Sequence, residues 1–292
     1  MKYLKNRLLL CFFLIVSLSK ASVVDTIKTR VLNDLIFNAN QIQEKDVIPF
    51  INSMLLNGSW NDINYKSSAV ADDWEPSFHL DRLKNMCYVY MKNGQNLYLN
   101  KGLLTKIDSG LTYWFKVNPS SPNWWHNDIG KQMRFNIIGL LMEKHLRKEL
   151  LTKIVNTLSA VPKMTGANLT DISTSVIYRG LIEGDLNRIK SGLNAISSEI
   201  KLSSGEGFKI DNSFHQHGAF LYNGGYGLVF LNTCSFWAEK TATTTLAFTQ
   251  PKIAILTDML LKGNCWMIRG NVMDYSTEGR GFTRTYSGQR KE

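Results

Sequence analysis

Apolar residues recur at three- and four-residue spacing through most of this chain, the period of helices that turn one face inward. Ile129, Met133, Ile137, Leu140, Leu141, Leu150, Leu151, Ile154 and Leu158 trace one long, mainly helical segment that Pro162 ends. Pro251 opens another helix, with Ile253, Ile255, Leu256, Met259 and Leu260 inward and Gly263 just past its end. Asp171 is placed to cap a helix running to about Gly184, and Leu193 to Ile200 forms a shorter one. Strand-like alternation is scarce, so the expected class is all-α. Between the helices lie long polar stretches at 57–68, 118–130, 164–171 and 268–288, rich in Gly, Asn, Trp, Tyr and Arg. Helical bundles usually connect their helices briefly, and long ordered loops tend to carry function. No self-similarity marks a paired-helix repeat of roughly 35–50 residues.

The first 21 residues break this pattern. Lys2, Lys5 and Arg7 precede an apolar run from Leu8 to Leu18, and Ser19, Lys20 and Ala21 follow it. The run is too short to span a bilayer, and small residues sit where cleavage would fall, so a secretory signal over 1–21 is expected. The mature chain, 22–292, would then be secreted or periplasmic and free of the membrane. Only Cys87, Cys234 and Cys265 lie in it, too few and too unpatterned for a disulfide framework or a zinc site. Removing the signal takes 34 basic residues to 30 against 24 acidic ones, a net charge of +6 in place of +10. That balance suits an acidic polymer. No nucleic-acid-binding motif accompanies it.

Four stretches hold the candidate chemistry. "NWWHN" sets Trp124 and Trp125 side by side in a polar turn, where indole faces can stack on sugar rings or one can pack over the other. Asn168, in "TGANLTD", is either a turn or capping residue or an amide donor to a substrate carboxylate. "DNSFHQHGAFLYNGGYG" (211–227) holds His215, His217 and Tyr226 on a glycine-rich loop. Alternate positions share a face, but no further ligand cluster lies near the two histidines, and neither metal nor cofactor is expected. Tyr226 opens a helix, where positive potential favours tyrosinate and prepares a base. In "EGRGFTR", with Arg269 upstream, Arg280 and Arg284 can grip a carboxylate or sulfate in forked geometry. An amide, an imidazole, a phenol and guanidinium groups fit one reaction class, β-elimination on a uronic-acid polysaccharide. Donors neutralise the sugar carboxylate, a base removes the C5 proton, and an acid protonates the departing glycosidic oxygen. Hydrolysis would want two flanking carboxylates, and Asp128, Asp171, Asp211, Asp274 and Glu278 form no obvious pair.

"NWWHNDIG", "TGANLTDI", "SFHQHGAFLYNGGYG" and "RGNVMDYSTEGRGFTR" resemble, in order and spacing, the signatures of polysaccharide lyase family 8. "NGSW" and the tyrosine downstream of it are most similar to the family's chondroitin AC lyase branch. The resemblance runs from about residue 25 to 286. It implies that Asn168 neutralises the uronate carboxylate, that His217 shares this task or is the base, and that Tyr226 is the general acid and also a candidate base. It implies too that Arg280 and Arg284 position substrate and steady Tyr226, while Trp124 and Trp125, with Asn123 of the same motif, line the substrate cleft. His215 falls at a variable position and takes no role. The implied fold is an incomplete α/α toroid of paired helices. Family members continue into β-sandwich domains, so 22–292 is expected to be the N-terminal α-helical catalytic domain, incomplete at its C-terminus and lacking that β portion. The implied activity is cleavage of chondroitin, hyaluronan or a related uronate polymer. The alternative is an impaired homologue that only binds acidic polysaccharide.

Overall fold

The computed structural model describes residues 22–69 and 74–283. The expected signal, 1–21, and Arg284 lie outside the described residues. The fold is all-α. Helix α1 spans Val23–Ala39 and α2 Glu44–Ser53; α3 (Pro76–Met91), α4 (Lys101–Val117), α5 (Lys131–Leu141) and α6 (Lys148–Thr157) follow. Then come α7 (Gly166–Glu183), α8 (Leu186–Glu199), α9 (Leu228–Thr241) and α10 (Gln250–Asp258). Local caps set several starts: Ser22 Oγ accepts the Asp25 N–H, Asn100 Oδ1 that of Leu103, and Asp185 Oδ1 that of Arg188. Asn118 and Gly184, both left-handed, end α4 and α7.

Burial sorts the helices into two rings. Helices α3, α5 and α7 bury residues on every side, and α3 packs on α5, α5 on α7, and α7 on α9. Helices α4, α6 and α8 bury single stripes, such as Leu103, Ile107, Leu111 and Trp114 of α4. Each packs outside the inner helix before it, as α10 does on α9. This is an incomplete α/α toroid of paired helices. Small residues bring α7 and α8 closest. A methyl at Gly192 would lie 2.5 Å from Ile177 Cγ1, and one at Gly180 would lie 2.8 Å from Ile189 Cγ1. Helix α1 packs against α3, α5 and α9. Its Arg30 donates to the Lys240 carbonyl at 2.9 Å and the Ala242 carbonyl at 2.6 Å, and its Asp34 pairs with the buried Lys240 ammonium.

Two helix starts differ from expectation, and the mainly helical segment 129–158 is broken once: α5 stops at Leu141 and α6 starts at Lys148. Continuing α5 would drive Glu143, Lys144, His145 and Arg147 along a helix enclosed on all sides, so the chain leaves the inner ring there. Asp171 is no cap; it lies inside α7, buried, five residues past the first. Helix α8 begins at Leu186, well before Leu193, because Asp185 caps it. Besides the isolated bridges Leu202–Phe208 and His215–Leu221, strand structure among the described residues is confined to two short antiparallel pairs. They are β1 (Gly207–Phe208) with β2 (Phe214–His215), and β3 (Ile268–Arg269) with β4 (Val272–Met273). No described helix is long and apolar enough to cross a membrane.

Candidate active site

The tryptophan turn, Asn168 and Tyr226 sit at the starts of inner helices, and His217 and Arg280 come from connecting segments. One π-helical turn, His126–Gly130, leads into α5 and packs against α7; another, Asn223–Gly227, leads into α9. Asn168 is the third residue of α7. Helix starts present unpaired N–H groups and partial positive charge, and π-turns recur where side chains must be re-aimed for function. A carboxylate-bearing ligand is suited to such an end.

His217 sits at the tip of the hairpin turn that follows β2, where His215 pairs with Leu221, with a left-handed backbone, φ 59°. Its Nε2 lies 2.7 Å from Arg280 Nη2 and 3.2 Å from the Tyr226 hydroxyl. The guanidinium can only donate, so Nε2 accepts, the ring is neutral, and its proton is on Nδ1. Electrostatics agree. Burial first and the Arg280 charge second hold His217 below the ordinary histidine value, with the Glu206 carboxylate opposing them. A non-glycine residue in this backbone region is disfavoured, and such outliers cluster at functional sites.

Tyr222 assembles this group. Its ring packs edge to face with Tyr226, centroids 5.0 Å apart. A methyl at Gly225 would lie 2.6 Å from Tyr222 Cε1, and one at Gly279 would lie 2.4 Å from Cδ2. Glycines therefore let the Tyr226 turn and the Arg280 segment both approach one ring. Gly279 also has φ 49°, a conformation side chains resist. Asn223, fully buried, ties the turn to its surroundings. Its Oδ1 accepts the Phe214 N–H at 2.6 Å, and its Nδ2 donates to Asn264 Oδ1 at 2.8 Å.

Asn168 is buried, and its Oδ1 meets no hydrogen-bond partner. An unpartnered buried amide oxygen is unusual; it accepts, so a ligand carboxylate would be met by the Nδ2 of the same side chain. Side chains from elsewhere hold the α7 start beneath it. Glu199 Oε2 accepts the Gly166 N–H at 2.7 Å, and Gln216 Oε1 accepts that of Ala167 at 3.4 Å. At the α5 start Trp124 is 43% exposed, whereas Trp125 is half-buried, with Cζ3 2.9 Å from where a Gly130 methyl would be. Asn123 Oδ1 accepts the Trp125 N–H at 3.0 Å, so this amide shapes the tryptophan turn.

The structure thus brings His217, Tyr226 and Arg280 into direct contact and links them to Asn168 through Gln216 and Ala167. Trp124 and Trp125 immediately precede the π-turn that packs against α7. Sequence reasoning missed Glu206, Gln216, Tyr222 and Asn223. The glycines around Tyr222 were a signal for that ring; Glu206 and Gln216 act through contacts without a local sequence mark.

Residues 40–292 match the family model described as polysaccharide lyase family 8, N terminal alpha-helical domain. The chain is 29% identical over 274 residues to a chondroitinase-AC of Pedobacter heparinus, covering 91% of this chain and 38% of that protein. It is 27% identical over 221 residues to a xanthan lyase of Bacillus sp. (strain GL1), covering 71% of this chain and 24% of that one. A solved chondroitinase AC lyase superposes with a TM-score of 0.82 at 29% identity, over 90% of this chain and 40% of its own. The chain therefore spans well under half the length of these relatives.

Proposed function

The chain belongs to polysaccharide lyase family 8, and from that premise we propose that it carries the catalytic face of a lyase opening uronic-acid polysaccharides by β-elimination. Chondroitin and hyaluronan are the proposed substrates, met outside the cytoplasm if residues 1–21 act as an export signal. The observation carrying this reading is the shared nitrogen: His217 Nε2 lies within hydrogen-bond distance of both the Tyr226 hydroxyl and Arg280.

In the proposed reaction the uronate carboxylate lies against Asn168 and the His217 Nδ1–H. Both are neutral donors. Neutralising the carboxylate stabilises the negative charge that grows as the C5 proton departs. Arg280 occupies the only lone pair of the His217 ring, which favours Tyr226 as base. The phenolate takes the C5 proton, the C4–O bond breaks as a C4–C5 double bond forms, and the tyrosine proton passes to the departing oxygen. Atoms and charges balance, and Tyr226 ends as it began. Arg280 lies close enough to favour the phenolate electrostatically. Trp124 offers the exposed platform on which a sugar ring stacks.

The experiment is incubation with chondroitin sulfate and with hyaluronan while following absorbance at about 230 nm, where a carboxylate-conjugated double bond formed by elimination absorbs. Activity that falls about 100-fold or more in Tyr226→Phe supports the mechanism. Unchanged turnover in that variant refutes it. Oligosaccharide binding without any absorbance gain turns the reading into that of a binder.

A further inference from the structure

We infer that Glu206 is a positioning residue that fixes His217 relative to Asn168; this rests on the lyase reading above. The hairpin tip cannot hold itself. Between Gln216 and Phe220 one backbone bond closes it, Gln216 N–H to the Phe220 carbonyl at 3.4 Å, which is long. His217, within that tip, also has its unfavourable left-handed backbone. Something outside the tip must hold it in place.

Glu206, immediately before β1, does so with both carboxylate oxygens. Oε1 accepts the Gly218 N–H at 3.2 Å, and Oε2 accepts Gln216 Nε2 at 2.9 Å. The residues on either side of His217 are thereby tied to one rigid, planar group. The link continues to the other half of the site. Gln216, buried, turns its Oε1 to the Ala167 N–H, next to Asn168. Thr165 Oγ1, at the start of α7, donates to Glu206 Oε2 at 3.4 Å. Gly166 makes room for the link, since a methyl there would lie 2.4 Å from Gln216 Oε1. Glu206 also faces His217 electrostatically, opposite Arg280, with Tyr226 and Tyr222 as the other polar rings against the imidazole.

Charge-assisted bonds of this kind are short-range and geometric, so displacing the tip by a fraction of an ångström should affect the transition state more than substrate capture. The amide of Glu206→Gln turns a donor toward either Gln216 Nε2 or the Gly218 N–H, and one tether breaks.

The test uses the full chain carrying E206Q and the exchange variant E206Q/Q216E, which restores a donor–acceptor pair with the roles reversed. In E206Q kcat should fall about 10- to 100-fold, KM should move less than about threefold, and the melting temperature should hold within about 2 °C. The exchange variant should recover most of the lost kcat. His217, assigned in proton NMR by comparison with His217→Ala, should titrate at lower pH in E206Q, because an opposing negative charge is gone. Wild-type kcat and an unshifted His217 titration in E206Q would overturn the inference. So would a kcat loss that tracks lost folding and is not recovered by the exchange. If the unmodified chain yields no unsaturated product, the lyase reading fails, and the His217 titration alone decides the role of Glu206.

Discussion

Replacing Asn223 with alanine removes a carboxamide that is fully buried and fully used. Its Oδ1 accepts the Phe214 N–H at 2.6 Å; its Nδ2 donates to Asn264 Oδ1 at 2.8 Å and to the Asn212 carbonyl at 3.3 Å. Alanine leaves the buried Phe214 amide and the Asn264 carboxamide behind. Asn264 is itself buried, and its Nδ2 already lacks a partner, so it has no reserve. Each orphaned buried group costs about 1–3 kcal/mol, which puts Asn223→Ala at about 3 kcal/mol or somewhat more. For a domain of this size that corresponds to a fall in melting temperature of about 6–12 °C. Calorimetry or circular dichroism at pH 7 reads it directly. The isosteric Asn223→Asp adds a signed control. Its protonated carboxyl can still donate to Asn264, but the ionised form sets acceptor against acceptor. The folded-state pKa of that carboxyl is therefore raised. Stability close to the parent is expected below about pH 4 and should be lost as pH rises. A fall of less than about 2 °C for Asn223→Ala, or an Asn223→Asp deficit that does not change with pH, would refute the argument.

Two further outcomes follow from the same geometry. Burial pushes the Asp171 carboxyl up to about 7, so the folded chain holds a proton that the unfolded chain releases near pH 4. Stability owed to Asp171 should fall as pH rises through that window, and Asp171→Asn should gain about 2–4 kcal/mol over the parent at pH 8 relative to pH 4. An equal offset at both pH values in denaturant titrations would contradict it. Trp124→Ala should weaken oligosaccharide binding about three- to tenfold by calorimetry, with little change in melting temperature, because its exposed ring face is a platform. Unaltered affinity would remove Trp124 from the cleft.

The spacing of apolar residues was enough to establish an all-α chain, because amphipathic period is a local property that each helix carries in its own sequence. The glycine-flanked aromatics and histidines were legible for a similar reason: the glycines among them mark where backbone must come close. Two helix starts show where local reading fails. Asp171 has the chemistry of a cap, yet α7 begins at Gly166, because Glu199 and Gln216, 33 and 49 residues away from their partners, satisfy its first N–H groups. The division into inner and outer helices likewise ends α5 where charge would have to be enclosed. Hydrogen-bond partners distant in sequence are chosen by packing, which no single stretch encodes. So it is with Arg280, which meets His217 across 63 residues. The residues supplied the functional groups; the fold, by bringing two connecting segments distant in sequence against the turn before α9, decided which of them touch.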